Sequence, residues 1–316
     1  MRTESEQYSQ ATNRSIFASV LLLVLFVMLG LALGNIIGIG ISLPLFGADY
    51  QAMINAFMDP TSNPDSRRAL LIVQACSSIF GFILAPAAFY AFIEKDSPRN
   101  LFHGRRLDTG LMILVGLIVL AFMGANSVII EWNMNVDLGQ LSPAFEEWAS
   151  AKEDQLKELT EYLTRFETIG GLLVGLIVIA VLPAIGEELL FRGLGQRMFH
   201  GLTNNHHAGI WIAPFLFSFI HLQFYGFFPR FLLGALFGYI YYWSGNLWYP
   251  IFAHFVNNGF TLIMLYMYQQ KVTELNVEET KSVPIYTALL ALAVTIGMLY
   301  YFRKKFTVSS ASENGW

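Results

Sequence analysis

One cysteine in 316 residues, Cys76, leaves no disulfide to form within the chain and no thiolate metal centre. Charge is scarce as well: Asp, Glu, Lys and Arg make up 13% of the chain, against about a quarter in soluble domains. The formal net charge of −4 removes the basic footprint that nucleic-acid binding requires. The H-E-x-x-H pattern of helical zinc proteases is absent. So are low-complexity tracts, long linkers, internal repeats and any organelle-retention ending, which leaves a single membrane domain as the simplest account and a bacterial inner (plasma) membrane as the expected home.

What the chain has in excess is hydrocarbon: 55% of its residues are hydrophobic, with 27 Phe and 14 Tyr. Apolar runs that approach or exceed the ~20 residues needed to cross a bilayer are Ile16–Ser42, Ala69–Ile93, Gly110–Ile130, Ile169–Leu190, Ala208–Leu222, Arg230–Ser244, Leu247–Tyr268 and Pro284–Phe302. The expected fold is therefore all-α, a polytopic membrane protein of about eight transmembrane helices enclosing an intramembrane cavity. The first run is too long for a signal-peptide core and lacks a small-x-small cleavage site, so it reads as a retained span. With the N-terminus cytoplasmic, the inner segments carry 11 of the 19 Lys and Arg: Arg2, Arg14, Lys95, Arg99, Arg105, Arg106, Arg192, Arg197, Arg303, Lys304 and Lys305. That bias puts both termini inside. Trp132, Trp211, Trp243 and Trp248 fall near predicted span ends, at headgroup level.

The domain divides into a three-span region, 16–131; an extramembrane amphipathic segment, 132–168; a core, 169–268; and a last span, 284–302. The segment 132–168 holds eight acids against three bases. Within it, Ser142 can cap a helix that begins at Pro143 and carries Leu156, Leu159, Leu163 and Phe166 at helical spacing. It is expected outside, along the membrane surface. Gly30, Gly34, Gly38 and Ser42 form a smooth stripe at four-residue spacing, repeated by Gly171/Gly175 and Gly234/Gly238, as close helix packing requires.

Polar residues crowd the second half: Glu187, Glu188 and Arg192 in "GEELLFRG"; His221 with Phe217 in "FSFIH"; His254 with Asn257 and Asn258 in "HFVNN". The first half shows nothing comparable. Ionisable groups inside hydrocarbon are costly and mark function by default. Glu188 and Arg192 are four apart, so they share a helix face and can pair, while Glu187 points about 100° away and is left free to act. Phe217 and His221 share a face, as do His254 and Asn258; Asn257 lies off that face. His200, His206 and His207 form a second histidine group in a predicted inner loop, where solvation is a sufficient account.

The order E-E-x-x-x-R, F-x-x-x-H, H-x-x-x-N, each on its own apolar run, resembles the CAAX protease and bacteriocin-processing (Abi) family of intramembrane endopeptidases, CAAX prenyl protease 2-like, over roughly residues 170–265. The resemblance implies a helical membrane protease that cuts a membrane-associated protein or peptide inside its bundle. It makes Glu187 the activating glutamate, His221 and His254 its partners in polarising water, and Asn258 a donor to the tetrahedral oxyanion, with Glu188 and Arg192 completing the first motif. Glu187, His221, His254 and Asn258 would also surround Zn²⁺ with one open position, although Asn is a poor zinc ligand; metal-free and metal-bound water share these residues.

Two other readings use the same groups. A transporter or proton relay also buries Glu and His, but such proteins often place sites between related halves, and here one half holds them all. A non-enzymatic immunity or scaffold protein of the same fold would not need the complete signature. Peptide cleavage by purified protein separates the enzyme from both.

Overall fold

The computed structural model describes residues 15–102, 104, 107–140, 142–276 and 281–313, without the side chains of 62 and 308–313. Arg2, Arg14, Arg105 and Arg106 of the inner-charge count lie outside the described residues. The described chain is helical throughout, with no strand among the described residues. The principal helices are α1 (Ile16–Ser42), α2 (Ser66–Ile93), α3 (Thr109–Met134), α4 (Pro143–Leu163), α5 (Ile169–Thr203), α6 (His206–Ile220), α7 (Phe227–Ser244), α8 (Trp248–Gln269) and α9 (Ile285–Glu313).

Each apolar run of the sequence is helical except at some of its ends, such as His221–Leu222, Leu247 and Pro284. Five helices, α1, α2, α3, α5 and the 285–307 part of α9, are long and apolar enough to cross a membrane; α6 is apolar but shorter. The molecule is an integral membrane protein. Its helix starts follow local chemistry. Ser15, Asp108, Ser142, Thr168 and Asn205 each accept a hydrogen bond from a first-turn N–H that has no partner within its own helix. Pro143 occupies the first position of α4, as expected.

One boundary differs from the sequence reading. The chain does not leave its helix after Leu190; α5 continues to Thr203 and turns at Asn204, in the left-handed region at φ 51°. Residues 191–203 are therefore helix rather than loop, and Arg192, counted among the inner bases, is buried at 1% exposure. It cannot serve as a charge facing headgroups. The polar spelling "GLGQRMFHGLT" reads as a loop, yet Gln196 and Met198 within it are buried against protein.

The glycine stripe on α1 lies against α2. A Cβ at Gly30, Gly34 or Gly38 would collide with the α2 backbone at Phe80, Cys76 and Val73, and Ser42 Oγ donates across to Ala69 O at 3.3 Å. At the other side α9 packs along α3 and α7. Two apolar clusters result. One joins α1, α2, α5 and α6 through Leu23, Phe89, Leu189, Phe191 and Phe217. The other joins α3, α7, α8 and α9 through Ile118, Phe237, Tyr249 and Phe302. α8 contributes Ile251 to the first and Ala253 to the second, so the next residue, His254, lies where they meet.

Candidate active site

α5 is not one continuous α-helix. Wider π-helical turns at Leu176–Val181 and Leu189–Gln196 bracket an α segment, Leu182–Glu188, that carries both glutamates. Such insertions in a helix often accompany functional sites. Pro183 explains part of the break: it has no N–H to offer the Ile179 carbonyl four residues back. Asn258 supplies a donor instead, with Nδ2 3.3 Å from Ile179 O. Gly186 lets this segment approach α2, since a Cβ there would strike Phe82.

Glu188 is fully buried and bonded on two sides. Arg192 Nη1 donates to its Oε1 at 2.7 Å, the pairing that four-residue spacing predicts. His254 Nδ1 also lies 2.9 Å from Oε1. The guanidinium is itself fixed: Nη2 donates to Gly234 O at 2.8 Å, and the Phe217 and Phe237 rings lie 5.9 and 5.6 Å from its centre. One turn on, Gln196 Nε2 donates to Gly238 O at 3.2 Å, so two α5 side chains grip two α7 carbonyls in step. Both positions are crowded, Gly234 the more so. A Cβ at Gly234 would meet Pro214 and Arg192, and one at Gly238 would meet Gln196 and Ile210.

Glu187 differs from its neighbour as the 100° rotation predicts. Its side chain is 16% exposed against 0% for Glu188, so it can meet a small molecule in the cavity. Its ion-pair contact among the described residues is His254 Nε2, at 3.8 Å. That separation is too long for a hydrogen bond, yet it suits two acceptors taking the two hydrogens of one water. Nδ1, the nitrogen at hydrogen-bond distance from a carboxylate, donates to Glu188, and in the neutral imidazole Nε2 is then an acceptor toward Glu187.

His221 ends α6. Its Nδ1 donates to Phe217 O at 2.6 Å, so the F-x-x-x-H spacing fixes the tautomer while the same Phe ring covers Arg192. No hydrogen bond or ion pair joins His221 to Glu187, Glu188 or His254 among the described residues. It does line the same cavity, of about 790 Å³, as Glu187, Glu188, Arg192, Phe217, His254 and Asn258.

Three features of the lining depart from the sequence reading. Asn257, placed off the working face of α8, lines the cavity too, and its Nδ2 donates to Asn258 Oδ1 at 3.0 Å. The first half of the chain is not without polar contributions, because Gln74 of α2 and Asn126 and Ser127 of α3 reach the cavity. Arg230 of α7 does as well. A lone amide in a long apolar helix has no partner at helical spacing to announce it; only its cost in hydrocarbon is a signal.

The donor set does not fit a metal ion. No three His, Cys, Asp or Glu side chains come together at metal-holding spacing among the described residues, and Asn258 commits its oxygen to Asn257 and one N–H to Ile179. His200 and His206 stack at 3.7 Å between ring centres, and His207 Nδ1 meets Tyr239 OH at 2.9 Å; none of the three lines the cavity.

Residues 169–260 match the family model described as Type II CAAX prenyl endopeptidase Rce1-like. The chain is 33% identical over 85 residues to the "Uncharacterized protein YpbD" of Bacillus subtilis (strain 168), covering 26% of this chain and 40% of that protein. It is 30% identical over 89 residues to the "Putative membrane peptidase YdiL" of the same organism, covering 28% of this chain and 36% of that protein. The chain thus aligns with well under half the length of the curated relatives it matches. No solved structure matches it. The resemblance read from the three motifs is borne out over the segment α5–α8, which looks like the core of a membrane CAAX-type endopeptidase.

Proposed function

We propose that the chain is an intramembrane endopeptidase that hydrolyses a peptide bond of a membrane-associated protein or peptide in a bacterial plasma membrane, with water activated by Glu187. The observation that carries this reading is the disposition of His254, with Nδ1 on Glu188 at 2.9 Å and Nε2 3.8 Å from Glu187. Glu188, clamped by Arg192, holds the imidazole as Asp or Glu holds the histidine of a hydrolase. A water between Glu187 Oε2 and His254 Nε2 gives one hydrogen to each and turns a lone pair to the scissile carbonyl.

Attack forms the new C–O bond as Glu187 takes a proton from the water. The uncommitted N–H of Asn258, backed by Asn257, donates to the oxyanion. When the C–N bond breaks, protonated Glu187 returns its proton to the leaving amine. His221 Nε2, with Nδ1 tied to Phe217 O, accepts a substrate N–H on the cavity wall. All of these roles use groups of this chain alone.

The test is profiling of newly formed peptide termini in a bacterial membrane extract incubated with the purified protein in lipid nanodiscs. Cleavage products are expected with the unaltered chain and absent with Glu187→Gln, whose thermal stability stays intact. Identical termini in both samples, or none in either, defeat the reading.

A further inference from the structure

Arg230 sits in the cavity wall at the first turn of α7, and its guanidinium is only half accounted for. Nη2 donates to Gln223 Oε1 at 2.6 Å. Nη1 is shielded from solvent and has no hydrogen-bond partner among the described residues. No carboxylate lies within 4.0 Å of it among the described residues. The acids whose fields reach it are Glu153 on α4 and Glu187. Burial pushes the Glu153 carboxyl up from its ordinary value while Arg230 pulls it down, and the two side chains are not in ion-pair contact. Of the other cations lining the cavity, Arg192 is paired with Glu188, and Lys281 is exposed.

An unpartnered buried N–H of a guanidinium costs free energy that a ligand can recover, and the fork of Arg fits a carboxylate. Four further unpartnered atoms belong to residues lining the same cavity: Glu188 Oε2 and Arg192 Nε, which sit within the Glu188–Arg192 ion pair, and Gln74 Oε1 and Asn126 Oδ1, both acceptors. We propose that Arg230 forms a carboxylate subsite of the substrate cleft, with Gln74 and Asn126 accepting peptide N–H groups beside it. The bound peptide then presents a carboxylate, terminal or from an acidic side chain, to α7 while its scissile bond faces Glu187. Arg230 is in this account a specificity residue. The inference rests on the peptidase reading for its substrate class, but it is measured by binding.

The experiment uses the full chain in nanodiscs carrying Glu187→Gln to suppress turnover. The ligands are dye-labelled randomised hydrophobic heptapeptides in three series: free acid, C-terminal amide, and C-terminal amide with one internal glutamate. Anisotropy is expected to show at least one carboxylate series binding about tenfold or more tighter than the plain amide. A preference for the free acid identifies a chain terminus; equal tightness of the glutamate series identifies any carboxylate. Arg230→Gln should bring the ratio close to one, and Arg230→Lys should restore part of it. Equal binding of all three series, a uniform loss in Arg230→Gln, or no binding at all overturns the subsite. Should Arg230→Gln not fold, the comparison of series on the parent chain and on Arg230→Lys still decides. Discrimination without cleavage by the unaltered chain sinks the peptidase and keeps the subsite; cleavage without discrimination does the reverse.

Discussion

A fully buried carboxylate that holds both a guanidinium and an imidazole cannot be cut back to alanine without leaving both unanchored. Glu188→Ala is therefore expected to cost about 3–5 kcal/mol, the penalty of stranding the buried Arg192 cation, seen as a fall in melting temperature or loss of monodisperse protein. Glu187→Gln keeps shape and is expected to leave the melting temperature in place while abolishing cleavage. If Glu188→Gln were inactive in well-folded protein and Glu187→Gln active, the two roles would be exchanged. The division between the glutamates was legible in sequence, because four-residue spacing selects Glu188 for Arg192 and helical rotation sends Glu187 elsewhere. The bond from His254 to Glu188 was not. Local spacing says which residues share a face of one helix; it is silent on which acid a histidine 66 positions away will meet. Gln74, Asn126 and Arg230 escaped for the same reason, each lying alone on its helix.

The start of α4 was readable from Ser142 and Pro143, and the glycine stripe of α1 from its period. The π-helical turns of α5 were not, since hydropathy is indifferent to whether a turn holds 3.6 residues or more. Pro183 is their visible trace. Pro183→Ala returns an N–H toward the Ile179 carbonyl and sets it in competition with Asn258. The expected result is unchanged or higher thermal stability, with cleavage reduced by an order of magnitude or more as Asn258 loses its anchor; undiminished cleavage would show that this anchor does not shape the site. Gly234→Val is expected to act in the opposite sense, lowering stability and activity together, because its side chain must displace Pro214 or Arg192. Thermal unfolding and cleavage measured side by side separate the two outcomes.

At the scale of the molecule, the orientation of the helices in the membrane is open to direct test. From the basic bias we expect the turn after α2 on the cytoplasmic side and α4 on the outer side. Ser97 and Gln155 are exposed in those two places. In a Cys76→Ser chain, an impermeant thiol reagent applied to intact cells is expected to modify Gln155→Cys, and Ser97→Cys only after permeabilisation; equal labelling would overturn the arrangement. The segment matched by the family, 169–260, ends before α9, yet the Phe302 and Phe306 rings of α9 pack edge-on against Tyr249 at the start of α8, and α9 runs beside α3. α3 therefore emerges from the ribosome more than 150 residues before the helix that covers it. Throughout that interval one flank of the seam holding His254 is unfinished, so a nascent chain inserted only as far as α8 holds Glu187, His221, His254 and Asn258 without the α9 rings that pack the start of α8. On the peptidase reading proposed above, a chain without its final span is expected to cleave nothing, because α9 has yet to pack on α3 and α8.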